Sequence, residues 1–351
     1  MRRLWRDELQ TISNRSNRIL RIGIVAPSGA QALDFMGPID AFHEANRSSE
    51  SASRYEVDLI GVRAGPIVSS SGTRLLPDKV IGSDLNLYDT ILVAGSLDYQ
   101  TTVCEQGLVD WLATAAPMAR RVGSISNGAF VLAAAGLLDG RRAATHWQAA
   151  KQLSAMFPKI RVEPDCLFVR DGPVYTAAGV TAGIDLCLHL IESDCGHATS
   201  LDVARMMVIF LRRSGGQPQI SAFLKAQSAS NTKIADAMEW ALENLHADLS
   251  VDELAKRAAM SPRNFSRAFQ FELRTTPGRY IEQVRVEAAR LLLETTSLSI
   301  QQIAYHTGFI IPGNMRRAFV RVLQISPGDF RQRSRSQSAI DASQQKAMLG
   351  I

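Results

Sequence analysis

The chain has 351 residues, 46% of them hydrophobic, four cysteines and a formal net charge of +5. That composition supplies cores for two or three domains and excludes a disordered chain. Cys104, Cys166, Cys187 and Cys195 form no C-x-x-C pair and stand with no histidine cluster, so neither a zinc site nor a disulfide framework is expected, only reduced thiols. Residues 1–18 carry five arginines without the apolar core of a signal peptide, and no later run reaches membrane-spanning length. The expectation is a cytoplasmic protein with a flexible N-terminal tail over residues 1–18 and no membrane partner.

From Ile19 the chain alternates apolar runs with helical stretches: ILRIGIVA, GPIDAFHEAN, RYEVDLIGV, DTILVAG, a helix around GLVDWLATAA, then RVGSIS and GAFVLAAAGLL. Strand–helix alternation predicts an α/β fold, a mostly parallel sheet flanked by helices. Ligands bind such sheets at the carboxyl ends of the strands. There the turns are Pro27-Ser28-Gly29, Ala94-Gly95-Ser96 and Ser126-Asn127-Gly128, all small enough for close approach. GSISNGAF (123–130) reads as a strand feeding a helix through a tight turn, the shape that presents a nucleophile. A serine there needs a general base within hydrogen-bond reach. His146, with Asp34 to orient it, is the nearest candidate by sequence. The free N–H groups and positive dipole of a helix starting at Asn127-Gly128 would instead suit a carboxylate or another anionic group.

Three segments, DFMGPIDAF (34–42), AAGLLDGRRAATHW (134–147) and AAGVTAGIDLCLHL (177–190), closely resemble PfpI-type, class I glutamine amidotransferase-like sensory domains with a flavodoxin-like fold. The resemblance spans roughly residues 19–213. In enzymatic members of that family the elbow holds a cysteine, often followed by histidine; here the two positions are Ser126 and Asn127. The resemblance therefore implies sensing without turnover and without a cofactor or metal. The candidate ligand-binding residues are Asp34, Gly37, Pro38, Gly95, Ser96, Ser126, Asn127, His146 and Thr181. The competing expectation is an amidase or hydrolase working through Ser126, His146 and Asp34, with a DNA-binding tether.

Residues 214–230 are small and polar and read as a linker. Beyond them the basic charge is concentrated: residues 255–335 hold 14 Lys plus Arg against 5 Asp plus Glu. The same region contains an internal repeat. MSPRNFSRAFQFELRTTPGRY (260–280) aligns with IIPGNMRRAFVRVLQISPGDF (310–330) at a shift of fifty, and SVDELA (250–255) with SIQQIA (299–304) at a shift of 49. The second copy thus has one extra residue before its proline. Each copy predicts helix, turn, helix, with Ser250 and Ser299 as N-caps and turns at Ala259-Met260 and Gly308-Phe309. Phe265, Phe269 and Leu273 in one copy, and Met315, Phe319 and Leu323 in the other, form the buried stripes. Between them a helix capped by Thr276 carries an apolar stripe of Ile281, Val284, Ala288, Leu291 and Leu292. Its length of roughly 28 Å is close to the ~34 Å between successive major grooves on one face of B-DNA.

MSPRNFSRAF, Pro277 to Tyr280, IQQIAYHTGF and SPGDFR together make residues 231–335 closely similar to the AraC-type DNA-binding domain, an all-α unit with two helix-turn-helix motifs. The resemblance implies a transcriptional regulator of double-stranded promoter or operator DNA. Base-reading candidates are Arg263, Asn264, Ser266 and Arg267 in the first copy and Gly313, Asn314, Arg316 and Arg317 in the second. IIPGNM (310–315) departs from the small polar residues usual in the family at this place. The resemblance further implies a homodimer through the first domain; a small-molecule effector of amino-acid-derived or nitrogenous type, RNA polymerase as a partner and a flexible C-terminal tail over residues 336–351 are expected beside it.

Overall fold

In the computed structural model the described residues are 18–48, 53–82, 88–102, 105–209, 212–213, 215–221, 224, 231–323 and 325–332. The expected tail 336–351, nearly all of the tail 1–18 and most of the expected linker lie outside them. The chain divides into two compact units, one ending at Gln219 and one beginning at Ile220.

In the first unit the strands are β1 (Arg18–Ala26), β2 (Ser53–Gly61), β3 (Ile67–Val68), β4 (Arg74–Leu75), β5 (Lys79–Val80), β6 (Thr90–Val93), β7 (Arg121–Ile125), β8 (Arg142–Ala143), β9 (Arg161–Val162), β10 (Phe168–Asp171) and β11 (Val174–Ala177). Seven of them form a sheet in the order β10-β11-β7-β6-β1-β2-β5, parallel except for the β10–β11 hairpin. Helices α1 (Ala32–Ala45), α2 (Tyr99–Thr102), α3 (Gln106–Ala115), α4 (Gly128–Ala134), α5 (Ala150–Met156), α6 (Thr181–Cys195) and α7 (His197–Met206) complete it. The alternation in β1 explains the layering. Leu20, Ile22 and Ile24 join one buried cluster with Phe35 and Leu186, while Val25 joins a second with Ile91, Leu112 and Phe130. With both faces covered, β6 and β7 are buried at every position, as a central parallel strand requires. β1 leads through α1 to β2 on one side, and the chain then returns to β6 on the other. The topological switch point, where such sheets bind ligands, therefore lies at the carboxyl ends of β1 and β6.

The expected first helix, GPIDAFHEAN, begins five residues early, at Ala32, so Pro38 lies inside it and not near its start. Between α1 and β6, only β2 was foreseen.

The second unit is all helical: α8 (Thr232–Glu243), α9 (Val251–Arg257), α10 (Pro262–Leu273), α11 (Pro277–Thr295), α12 (Ile300–His306) and α13 (Pro312–Leu323). Ser250, Thr276 and Ser299 cap as expected, and Ser299 closes a full capping box with Gln302. The two turns fall at Ala259 and Gly308, both at positive φ. The stripe on α11 needs correction. Ile281 and Val284 enter the core of the first helix-turn-helix, but Val286, Ala289 and Leu293 enter that of the second, leaving Leu291 exposed and Ala288 and Leu292 half-buried. One helix serving two cores must present two faces, which a single stripe does not describe. Leu323 is likewise only half-buried, at the margin of the second core.

Candidate functional site

The elbow after β7 is real and strained. Ser126 sits at φ 56°, an uncommon conformation for a residue with a Cβ. Its amide donates to the Ala177 carbonyl at 2.9 Å, and its own carbonyl accepts from the buried Thr145 hydroxyl at 2.9 Å. Glycines make room on both sides. A Cβ at Gly95 would stand 2.3 Å from the Asn127 nitrogen, and one at Gly179 would stand 2.5 Å from the Ser126 Cβ and 2.8 Å from its Oγ.

Beside Ser126 lies Asp34, in the first turn of α1 and fully buried. Its Oδ1 accepts from the Val180 amide at 2.7 Å. Val180 is itself at φ 50°, a costly conformation for a β-branched side chain, so two strained residues converge on one carboxyl. Burial pushes the Asp34 carboxyl up to about 6, against the opposing pull of the Val180 and Gly95 amides and the Ser126 hydroxyl. Neither Gly95 nor Ser126 closes a hydrogen bond to Oδ2, which is buried without a partner. An unpartnered buried oxygen is costly; a group able to donate a hydrogen bond would relieve it.

The Ser126–His146–Asp34 triad is not assembled. His146 is half-buried, its Nδ1 accepts from the Gln148 amide at 3.4 Å, and its ring lies 5.6 Å from that of Trp147. No hydrogen bond joins it to Ser126 or Asp34, and burial holds its pKa down, favouring the neutral ring. The helix end expected to receive an anionic group is closely packed. α4 has only seven residues, and at its start the Asn127 nitrogen is covered by Gly95, while a Cβ at Gly128 would stand 2.1 Å from the Val93 carbonyl oxygen.

The remaining expected ligand residues are spread more widely. Asn127 donates through Nδ2 to the Ser96 carbonyl at 3.2 Å, and the Ser96 hydroxyl braces two loops, donating to the Ser28 carbonyl and accepting from the Asp98 amide. Gly37 and Pro38 are buried inside α1, where Gly37 faces Ile184 of α6 at a spacing that leaves a Cβ 3.0 Å from that side chain. Theirs is a packing position. The Thr181 hydroxyl accepts from Arg213 at 2.7 Å. Val180, Gly179 and Thr145 were missed; AAGVTAG held the signal for the first two, a Gly-Val pair feeding a helix as a second elbow.

The chain leaving this unit is fastened twice to the segments that hold Ser126. Arg213 grips Thr181 and, through its amide and guanidinium, Asp185 of α6. Residues 215–219, expected as linker, lie along the unit: Phe168 and Leu167 donate to the carbonyls of Gly215 and Gln217. Gln219 then donates to the Thr145 carbonyl at 2.8 Å and accepts from the Trp147 amide at 2.9 Å.

In the second unit Arg263, Asn264 and Arg267 are exposed along α10, with Ser266 half-buried, and Gly313, Asn314, Arg316 and Arg317 are exposed along α13. The same clasp recurs in both copies. Asn264 Oδ1 accepts from Arg267 at 3.2 Å and Asn314 Oδ1 from Arg317 at 2.6 Å, each three residues apart on one helix face. The arginine forks are thus held in place beyond two buried apolar faces, the arrangement by which a helix-turn-helix presents its second helix to a major groove.

Comparison with known proteins matches residues 20–193 to the DJ-1/PfpI family and residues 254–333 to a helix-turn-helix domain. The chain is 30% identical to the HTH-type transcriptional regulator CdhR of Pseudomonas aeruginosa over 303 residues, 86% of this chain and 89% of that protein. It is also 30% identical to the isonitrile hydratase of Pseudomonas putida, over 67% of this chain and 96% of that enzyme. A ThiJ/PfpI family protein from Pseudomonas syringae shares the fold at a TM-score of 0.51 and 22% identity, covering 69% of this chain and 90% of that one.

Proposed function

Because this chain belongs to the AraC-type transcriptional regulators that carry a DJ-1/PfpI domain, and binds DNA through its C-terminal unit, we propose that the first unit is a sensor that receives a small metabolite at Ser126 and Asp34 without turning it over. The observation that carries this reading is the pair formed by Asp34, buried with one oxygen unpartnered, and the departing chain, clipped at Arg213 and Gln219 to the segments around it. An N–H donor suits that oxygen, which favours an amino-acid-derived or other nitrogenous effector. Ligand contact that moves Ser126 or Val180 reaches Thr145 and Thr181 directly, and through them Gln219 and Arg213. The protein acts in the cytoplasm as a homodimer joined through its first unit, with RNA polymerase as its partner at the promoter.

A screen of amine- and amide-bearing metabolites on the full chain tests this. A binder raises the melting temperature and changes operator affinity; Asp34→Asn removes both effects, while Gln219→Ala keeps the thermal shift and weakens the effect on DNA. Binders that shift Asp34→Asn as far as the native chain would contradict it. The hydrolase reading draws on Ser126's strained elbow and the hydratase relative. Labelling of Ser126 by a serine-reactive phosphonate, abolished by His146→Ala, would favour it; with no hydrogen bond between His146 and Ser126, no labelling is predicted.

A further inference from the structure

The two helix-turn-helix copies part company at the entry to the reading helix. In the first, the Ser261 hydroxyl accepts from the Asn264 amide and caps α10. In the second, the corresponding N-terminal position is Ile311, whose backbone carbonyl accepts from the Asn314 amide at 2.9 Å but whose side chain has no oxygen to offer. Isoleucine is among the poorest residues at that position. The extra residue of this copy, Ile310, follows the buried Phe309 and is 94% exposed; Ile311 is 56% exposed. A single exposed aliphatic residue is ordinary. Here two adjacent β-branched ones displace a cap and lengthen a turn, and both sit where a helix-turn-helix sets the N-terminal residues of its reading helix against base edges.

What surrounds them favours one occupant. α13, written PGNMRRAFVRVL, has no acidic residue, and Arg316 and Arg317 stand exposed just beyond the isoleucines. Cationic groups beside an apolar tip match a surface that is anionic at its rim and apolar at a few points inside. The major groove has that character, because phosphates line it and each thymine puts a C5-methyl group on its floor.

We propose that Ile310 and Ile311 read thymine methyl groups in the major groove, so that the second helix-turn-helix selects bases by apolar contact where the corresponding part of the first presents Arg263, Asn264 and Arg267. The specificity of the two copies is then chemically different, although their helices and cores repeat.

The test uses the full-length chain. Duplexes enriched from a random library are resynthesised with each thymine replaced singly by deoxyuridine, which removes the methyl group and nothing else. One or two replacements should weaken binding by about fourfold each, the value of one methyl-sized group withdrawn from water. Ile310→Ser and Ile311→Ser should bind the parent duplex more weakly by a similar factor and lose the distinction at those positions, whereas Arg267→Ala should weaken binding and keep it. Ile311→Ser restores a capping residue, so loss of folding is not its expected effect. Equal binding of thymine and deoxyuridine at every position, or serine variants that still discriminate, would overturn the proposal. So would serine variants that bind DNA as the native chain does and fail only with a protein partner. A native chain that enriches no duplex at all would instead sink the DNA-binding reading on which the proposal rests.

Discussion

Ser126 in the first unit and Ala259 in the second share a backbone conformation, φ 56° and 50°, but their surroundings are opposite. Ser126 is walled in by Gly95 and Gly179, its amide and carbonyl are both engaged, and a buried carboxyl stands beside it. Ala259 is exposed at the corner of a helix-turn-helix, whereas its counterpart in the second copy, Gly308, is pressed against the Leu245 carbonyl and the Arg285 guanidinium. Strain held on every side is the kind found at functional sites, whereas strain at an open corner is the ordinary cost of a turn. The first unit thus confines polar groups at its elbow, and the second exposes them on helices whose other faces are packed.

The strongest way to break this comparison is to add one methyl group. At Gly179, Ala places a Cβ against Ser126 and forces φ +113° on a side chain; at Gly308, Ala meets the Leu245 carbonyl oxygen at 2.0 Å and the Arg285 guanidinium at 2.6 Å. Each should cost about 3 kcal/mol or more in denaturant unfolding of its own unit. If Gly308→Ala is as mild as a surface change, the tight corner is misread.

Next in size is Asp34. Its folded pKa of about 6 lies above the ordinary 3.8, so the stability that goes with its proton is complete below pH 3.8 and disappears as pH rises through 6. The difference amounts to about 3 kcal/mol over that window. Asp34→Asn should remove that part of the pH slope from the first unit's unfolding and leave the second unit unchanged. An unaltered slope would mean that the carboxyl is not buried as described.

The helix caps give smaller, opposite effects. Ser261→Ala should destabilise the second unit by about 1 kcal/mol, and Ile311→Ser should stabilise it by a comparable or smaller amount. Smallest of all, Ala259→Gly should change stability by less than about 1 kcal/mol, because relief of the positive φ is offset by the freedom glycine gains in the unfolded chain. Thermal unfolding of the three variants side by side checks the order.

Most of the second unit was legible in the sequence because its determinants are local or repeat: Ser250, Thr276 and Ser299 cap within three residues, and the shift of fifty lays one copy on the other. The stripe on α11 failed because its burial is decided by two cores that no period within the helix records. In the first unit, β1, β2, β6 and β7 declared themselves as apolar runs, and GSISNGAF showed its elbow. The working environment of that elbow did not, because it is made at long range. Val180 reaches Asp34 across 146 positions and Gln219 reaches Thr145 across 74. His146 looked near Ser126 along the chain and makes no bond to it in space.

The central claim is that this regulator reads DNA with two structurally repeated helices set on one rigid connecting helix, Pro277–Thr295. Hydroxyl-radical and base-contact footprinting of the full chain on its enriched duplex tests it most directly. Two protected major-groove segments about one helical turn apart are predicted, with Arg267→Ala clearing one and Arg317→Ala the other. A single protected segment, or two that both variants weaken alike, would contradict it.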